Sequence, residues 1–224
     1  MPPGRSSVRA AGHPKDLHKY HRPETWAQYW RYSLDGRPER TAPARASPDS
    51  AQERVQVAVN PLFVLTAETA AGGSARRGVP LRPIKPDDVD ELSRMYHESY
   101  AESLPQPPER ATGWIDALLA GAEGAYLPEA SAVLTGPEGQ LTAAIIVTEP
   151  APGSDGEWDA VIAELFTHPD FRRQGLADEL LSHCLDTLQI QGRSTVAVTV
   201  DSGNFAALAF YLSRDFRRLT DDDA

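Results

Sequence analysis

From residue 79 onward, apolar positions fall into two rhythms: short runs suited to strands and three-to-four-residue spacings suited to helices. VPLRPI (79–84) reads as a short strand. Pro86 and Asp87 then open a helix that carries Val89, Leu92 and Tyr96 on one face, with acidic residues in its first turn. A second helix is predicted from Pro108 to Ala120, around Trp114, Leu118 and Leu119. SAVLT (131–135), the turn GPEGQ and LTAAIIVTE (141–149) form a β-hairpin by turn residues and β-branched content. DAVIAELFT (159–167) is a near-continuous apolar strand, which predicts burial on both faces. In GLADELLSHCLDTLQ (175–189), Leu176, Ala177, Leu180, Leu181, Cys184, Leu185 and Leu188 share one helical stripe. Asp178, Glu179, His183 and Asp186 lie opposite. STVAVTV (194–200) is another buried strand, Asn204 to Arg214 a last helix, and FRRL (216–219) a last short strand. This alternation gives an α/β class: a mixed sheet with helices on both faces.

The first third reads differently. Residues 1–54 are rich in Pro, Arg, Ala and Ser and cannot build a core, so a flexible extension is expected. Within it, Trp26, Tyr29, Trp30 and Tyr32 follow Pro23 at helical spacing, which predicts one short aromatic helix. Residues 55–78 supply a further strand and a linker. Val55, Val57 and Val59 alternate before Pro61, predicting an edge strand, packed on the main domain or on the second subunit of a homodimer. AAGGSARRG (70–78) separates it from a main domain expected over 79–224.

Charge sharpens this division. The net charge is -10, yet residues 1–77 carry 12 Lys/Arg against 7 Asp/Glu, and residues 78–224 carry 10 against 25. An acidic domain repels phosphate backbones, so nucleic acid is not an expected partner, whereas an amine-bearing acceptor suits it. No apolar run approaches the roughly 20 residues needed to span a bilayer, and the N-terminal residues lack a secretory apolar core. No membrane partner and a cytoplasmic location are expected. The one cysteine, Cys184, sits on an apolar stripe and reads as a small core residue. His13, His18 and His21 lie in a basic arm without carboxylate or cysteine partners, so no metal is expected.

The chemistry concentrates in ELFTHPDFRRQGLA (164–177). A buried strand ends at Thr167, His168-Pro169-Asp170 turn the chain, and a helix begins near Gly175. The first turn of a helix offers unpaired N–H groups at its positive end, a site for linked phosphates. Gly175 removes the side chain that would block close approach, and Ala177 keeps the next contact small. Arg172 and Arg173 add charged donors, with Gln174 between them and the glycine.

The spacing of Arg172, Gly175 and Ala177 directly after L-F-T-H-P resembles the acetyl-CoA pyrophosphate motif of GNAT acetyltransferases. A second motif follows in order. Asn204, Ala207, Tyr211 and Phe216 resemble the family's N-x-x-A-x-x-x-Y-x-x-x-G-F pattern, with Asp215 in place of the usual glycine. The opening LRPIKPDDVDEL is also similar to the first strand and helix of these proteins. The resemblance covers about residues 79–220. It implies the GNAT acyl-CoA N-acyltransferase fold, with strands splaying apart after Ala160 and after Ser194, and acetyl-CoA as co-substrate. The pantetheine arm would bond the edge at Leu165, Phe166 and Thr167, and Gln174, Gly175, Leu176 and Ala177 would meet the phosphates.

The resemblance also implies direct attack of an amine on the thioester, the acceptor being a small molecule or a protein amine. Tyr211 is the candidate acid for the leaving thiolate. Glu164, a carboxylate inside an apolar run and on one strand face with Ile162 and Phe166 by alternation, is the candidate base. His168 before Pro169 reads as structural, and His97 is placed near the acceptor. Asn204 reads as a cofactor-side residue or as the N-cap of the last helix, two roles that can coexist. Two alternatives stay open: an acyl-CoA-binding sensor or interaction module with little catalysis, and an acyltransferase using a different acyl-CoA. The acceptor would be set by 100–114 and 150–159, segments without a readable pattern.

Overall fold

A computed structural model describes residues 62–69, 80–101, 111–154 and 156–219, with the backbone alone at 111 and 112. The aromatic helix expected at Trp26–Tyr32, the alternation at Val55–Val59, His13, His18, His21, the linker 70–78 and residues 102–110 lie outside these segments.

The described strands are β1 (Leu62–Glu68), β2 (Leu81–Arg82), β3 (Ala132–Thr135), β4 (Leu141–Thr148), β5 (Ala160–Thr167), β6 (Thr195–Asp201) and β7 (Arg217–Arg218). They form one sheet in the order β2-β3-β4-β5-β6-β1-β7. Every pairing is antiparallel except that of β5 with β6. The described helices are α1 (Val89–Tyr100), α2 (Ala111–Leu119), α3 (Leu176–Ile190) and α4 (Phe205–Leu212).

Two cores follow from the pleat. On one face, Leu92, Met95 and Tyr96 of α1 and Ile115 and Leu118 of α2 pack on Ala144, Ile146 and Phe166. On the other, Leu180, Leu181, Cys184 and Leu188 of α3 pack on Ile145, Val147, Ile162 and Val198. Cys184 is fully buried, as its stripe predicts. Glu179 departs from the predicted polar face and is only 7 % exposed. It sits one helical turn before His183, whose Nε2 lies 3.1 Å from the Glu129 carbonyl, so the segment between α2 and β3 covers this flank.

The alternation before Pro61 lies outside the described residues; the segment that follows Pro61 forms β1, which is interior to the sheet. Leu62 to Glu68 pair with Asp201 to Thr195 on one side, and Leu65 and Thr66 pair with Arg218 and Arg217 on the other. The reason lies in β7, which at two residues cannot cover β6. The seven-residue β1 covers it in full. The sheet thus draws on residues that a boundary at 79 leaves outside.

β5 and β6 pair over Ala160–Ile162 and Val196–Val198 alone. Their lower ends are fastened. Asp159 Oδ2 accepts from the backbone N–H groups of Ser194 at 2.8 Å and Thr195 at 3.1 Å. The Ser194 hydroxyl donates to the same oxygen at 2.9 Å, and this bond first, then the backbone ones, holds the Asp159 carboxyl below its ordinary range. Arg193 joins Asp159 O to Glu149 Oε1, each at 2.7 Å. Higher up, Ile146 lies opposite Glu164 but Val147 lies opposite Ile162, which leaves Ala163 as the extra residue of a β-bulge. A bulge bends its strand and adds twist, and above it β5 leaves β6. Burial on both faces of β5 is therefore incomplete. Ala160, Ile162 and Phe166 are buried, while Glu164, Leu165 and Thr167 keep intermediate exposure beside the gap.

Candidate active site

The chain leaves β5 through a 3-10 turn, Pro169–Phe171. His168 builds this turn: its Nδ1 accepts from the Asp170 N–H at 3.2 Å, and its Nε2 lies 3.0 Å from Glu98 Oε2. Arg173 (φ 62°) and Gly175 (φ 78°) both adopt the left-handed conformation, and Gly175 is the N-cap of α3. Glycine is suited here for two reasons, the backbone angle and the clear approach to the first-turn N–H groups. Those groups sit at the positive end of a fifteen-residue helix. Leu176 is buried in the core, so only its backbone faces the turn. Arg173 and Gln174 are exposed. Arg172 is exposed too, but its Nη2 donates to the Ser99 carbonyl at 2.8 Å, tying the turn to the last turn of α1. A cation suits that end of a helix.

The register of β5 separates the three residues expected along the open edge. The His168 N–H donates to Thr142 O at 2.9 Å, so pairing by alternation turns the backbone of Phe166 toward β4. The backbone groups of Leu165 and Thr167 turn toward the gap. Phe166 instead contributes a buried ring, edge-on to Tyr96 at 5.5 Å between centroids. The Thr167 carbonyl already accepts from Ser99 Oγ at 3.0 Å. Among the described residues, Leu165 directs its backbone groups into the gap with no side-chain contact of this kind.

Alternation predicts Glu164 beside both Ile162 and Phe166; the bulge at Ala163 breaks that parity. Ile162 faces α3, whereas Phe166 packs in the core beneath α1 and α2. Glu164 joins the α1–α2 side. Its Oε1 accepts from Trp114 Nε1 at 2.8 Å and its Oε2 from the Tyr100 hydroxyl at 3.1 Å. The residue keeps some accessible surface, yet its carboxyl lies deep among these rings. Burial, partly offset by hydrogen bonds from Trp114, Tyr100 and Tyr96, pushes the carboxyl up to about 7. A carboxyl in this range exchanges protons near neutral pH. Tyr96 and Tyr100 are themselves held above the ordinary phenol value by burial and by the Glu164 charge.

Tyr211 reaches the site from α4. It is 4 % exposed and packs against Phe210 and Phe216, at 5.2 Å and 5.0 Å between ring centroids. Burial first, then the Cys184 and Glu164 charges, raises its phenol well above the ordinary value, so it stays protonated. Asn204 caps α4, its Oδ1 accepting from the Ala207 N–H at 3.0 Å. Asp215 takes the left-handed conformation (φ 61°) that the motif's usual glycine would supply. His97 stands apart from Glu164, lining an open depression on α1 with Asp90, Ser93, Arg94 and Glu98.

The residues that sequence reasoning misses are Tyr96, Tyr100 and Ser99 on α1, and Trp114 in its polar role. A signal exists: Tyr96 and Tyr100 are spaced i, i+4 on the apolar face of α1, and a buried carboxylate requires donors.

The family model for the acetyltransferase (GNAT) family matches residues 89–216, more than half of the chain. The [Ribosomal protein bS18]-alanine N-acetyltransferase of Escherichia coli (strain K12) is 37% identical over 62 residues, which are 28% of this chain and 42% of that protein. The chain thus spans less than half the length of this curated relative. A GCN5-related N-acetyltransferase from Sphaerobacter thermophilus superposes with TM-score 0.55 at 17% identity, over 72% of this chain and 49% of that one. A protein of Pyrococcus horikoshii OT3 superposes with TM-score 0.54 at 19% identity, over 63% of this chain and 90% of that one. These two likenesses concern the fold. With the family model spanning both the Gly175 turn and the Tyr211 helix, the chain belongs to the GNAT family of acetyltransferases.

Proposed function

We propose that the protein is an N-acetyltransferase that moves an acetyl group from acetyl-CoA to a primary amine by direct attack in a ternary complex. The observation that carries this reading is the gap between β5 and β6. It opens after Ile162 on the strand that runs into the Gly175 turn and is edged by Leu165, and in this reading the Glu164 carboxyl and the Tyr211 phenol, which the Glu164 charge helps to raise, serve it from either side.

In this reading the first-turn N–H groups of α3 take the pyrophosphate oxygens, and the Leu165 edge takes the amide-bearing arm by strand addition. An amine with a value near 10 arrives as an ammonium ion. Glu164, once ionised, accepts its proton directly or through water. The neutral nitrogen attacks the thioester carbonyl carbon, the C–N bond forms, and the C–S bond breaks as the tetrahedral intermediate collapses. Tyr211, kept protonated, meets the sulfur as a hydrogen-bond donor and yields its proton as negative charge develops there. The proton that the nitrogen sheds on becoming an amide returns to the Tyr211 oxygen, so that the phenol is restored, sulfur keeps one proton, and Glu164 passes the ammonium proton to solvent. Most of the acceleration comes from holding the two reactants together.

The relative named for a ribosomal-protein alanine makes a peptide N-terminal amine the first acceptor to test. Titration calorimetry with coenzyme A, followed by thiol release from acetyl-CoA against peptide N-termini, lysine side chains and small polyamines, tests the reading. Saturable binding and release that depends on one amine class are expected. Binding without release from any acyl-CoA would place the protein among sensors instead, and no binding at all would remove the reading.

A further inference from the structure

We propose that Trp114 and Tyr100 are positioning residues for Glu164, two neutral donors on two different helices that fix its two carboxyl oxygens. The proposal rests on the reading of Glu164 as the base. The geometry is specific: Trp114 Nε1 of α2 donates to Oε1 at 2.8 Å, and the Tyr100 hydroxyl of α1 donates to Oε2 at 3.1 Å. With Trp114 on one oxygen, Tyr100 on the other, Tyr96 beside them as a further donor from α1, and β5 bent at Ala163, the carboxyl plane is held from three elements.

The chemical identity of the donors matters as much as their position. An arginine or lysine in their place would hold the group ionised at all working pH and turn a base into a salt bridge. Purely apolar neighbours would keep it protonated. Neutral N–H and O–H donors lie between these limits: they favour the carboxylate enough for it to form near neutrality and leave it free to titrate. Each oxygen retains lone-pair capacity for an amine proton or a water. Among the described residues, the titratable groups coupled to the carboxyl are Tyr96 and Tyr100 from α1 and Tyr211 from α4. Its cross-strand neighbour on β4 is Ile146, an uncharged residue. Among the described residues that shift the carboxyl, none carries a positive charge.

The experiment is the pH dependence of kcat/KM for the wild type, Glu164→Gln, Trp114→Phe and Tyr100→Phe, with coenzyme A calorimetry and melting curves on each. The wild-type acid limb is expected near the carboxyl's value of about 7. Removing a donor to the charged form raises that value, so in Trp114→Phe the limb should move up by about one pH unit. That is about a fivefold loss at pH 7, approaching tenfold below pH 6 and recovered at high pH, with coenzyme A affinity retained. Tyr100→Phe should move the limb the same way. A role in packing alone would lower kcat/KM by one factor at every pH and leave the limb in place, and that result overturns the proposal. Should Trp114→Phe fail to fold, Tyr100→Phe decides, since it removes one hydroxyl; an unmoved limb there is equally fatal. A Glu164→Gln enzyme with wild-type rate and limb would instead defeat the reading of Glu164 as the base, whatever the donor variants do.

Discussion

Tyr211 and Glu164 are coupled electrostatically from opposite layers of the sheet. Tyr211 belongs to the core beneath α3, Glu164 lies on the α1–α2 side, and the carboxylate charge adds to burial in lifting the phenol. In the proposed site they meet where β5 and β6 part after Ile162. An acid and a base reaching a reacting centre from two sides can serve sulfur and nitrogen separately. Tyr211→Phe keeps the ring contacts with Phe210 and Phe216 and deletes one hydroxyl. Turnover should drop on the order of 100-fold, the usual scale for a lost general acid. Coenzyme A affinity by calorimetry should stay as it was. A variant with full turnover would leave Tyr211 as a packing residue.

Glu164 makes stability depend on pH in a direction unusual for a carboxylate. Its folded value is raised, from an ordinary 4.5 to about 7, chiefly by burial. Between those limits the folded protein holds a proton that the unfolded chain has released. Stability linked to this group is therefore present below 4.5 and lost as pH rises through about 7. Melting temperatures taken from pH 5 to pH 8 should fall for the wild type. Glu164→Gln, which cannot ionise, should flatten that part of the curve. Parallel curves for the two proteins would show that the carboxyl is ionised throughout.

The fold was legible wherever local pattern and tertiary position agree. The hairpin of β3 and β4, the stripe of α3 and the Asn204 cap all depend on near neighbours, and the structure places them where the pattern does. Three features depend on distant partners and escape such reading. The side of β5 that Glu164 faces is set by a bulge at Ala163 opposite Ile146 and Val147, which no alternation rule anticipates. The interior place of β1 is set by the shortness of β7, some 150 residues away in sequence. Arg172 has the spacing of a phosphate ligand, yet one of its donors serves Ser99, a contact visible only when α1 is folded against the turn.

A chain starting at Val79 should therefore not fold as an independent domain. It lacks β1, and with it the seven-residue ladder to β6, the pairing partner of β7, and the buried Leu65. β6 would present an unpaired edge rich in valine, and such edges promote aggregation. Circular dichroism and size exclusion on residues 55–224 and 79–224 make the comparison. The longer piece is expected to be monodisperse with a cooperative melt, the shorter one aggregated or unfolded. Equal melting temperatures for the two would mean that β1 contributes nothing to the sheet.

Gly175 can be dissected because it has two separable duties. Its φ of 78° is costly for alanine, so Gly175→Ala should lose on the order of 1 kcal/mol of stability. Asparagine visits the left-handed region more readily, so Gly175→Asn should retain most of the stability. Both substitutions place atoms where a pyrophosphate would approach the first turn of α3. Coenzyme A affinity should accordingly fall in both variants, about tenfold or more, while thermal stability falls mainly in the alanine variant. Binding and melting measured on the same samples distinguish the duties. If Gly175→Asn takes up coenzyme A as tightly as the wild type, the helix terminus is not where the phosphates bind, and Gly175 serves the turn alone.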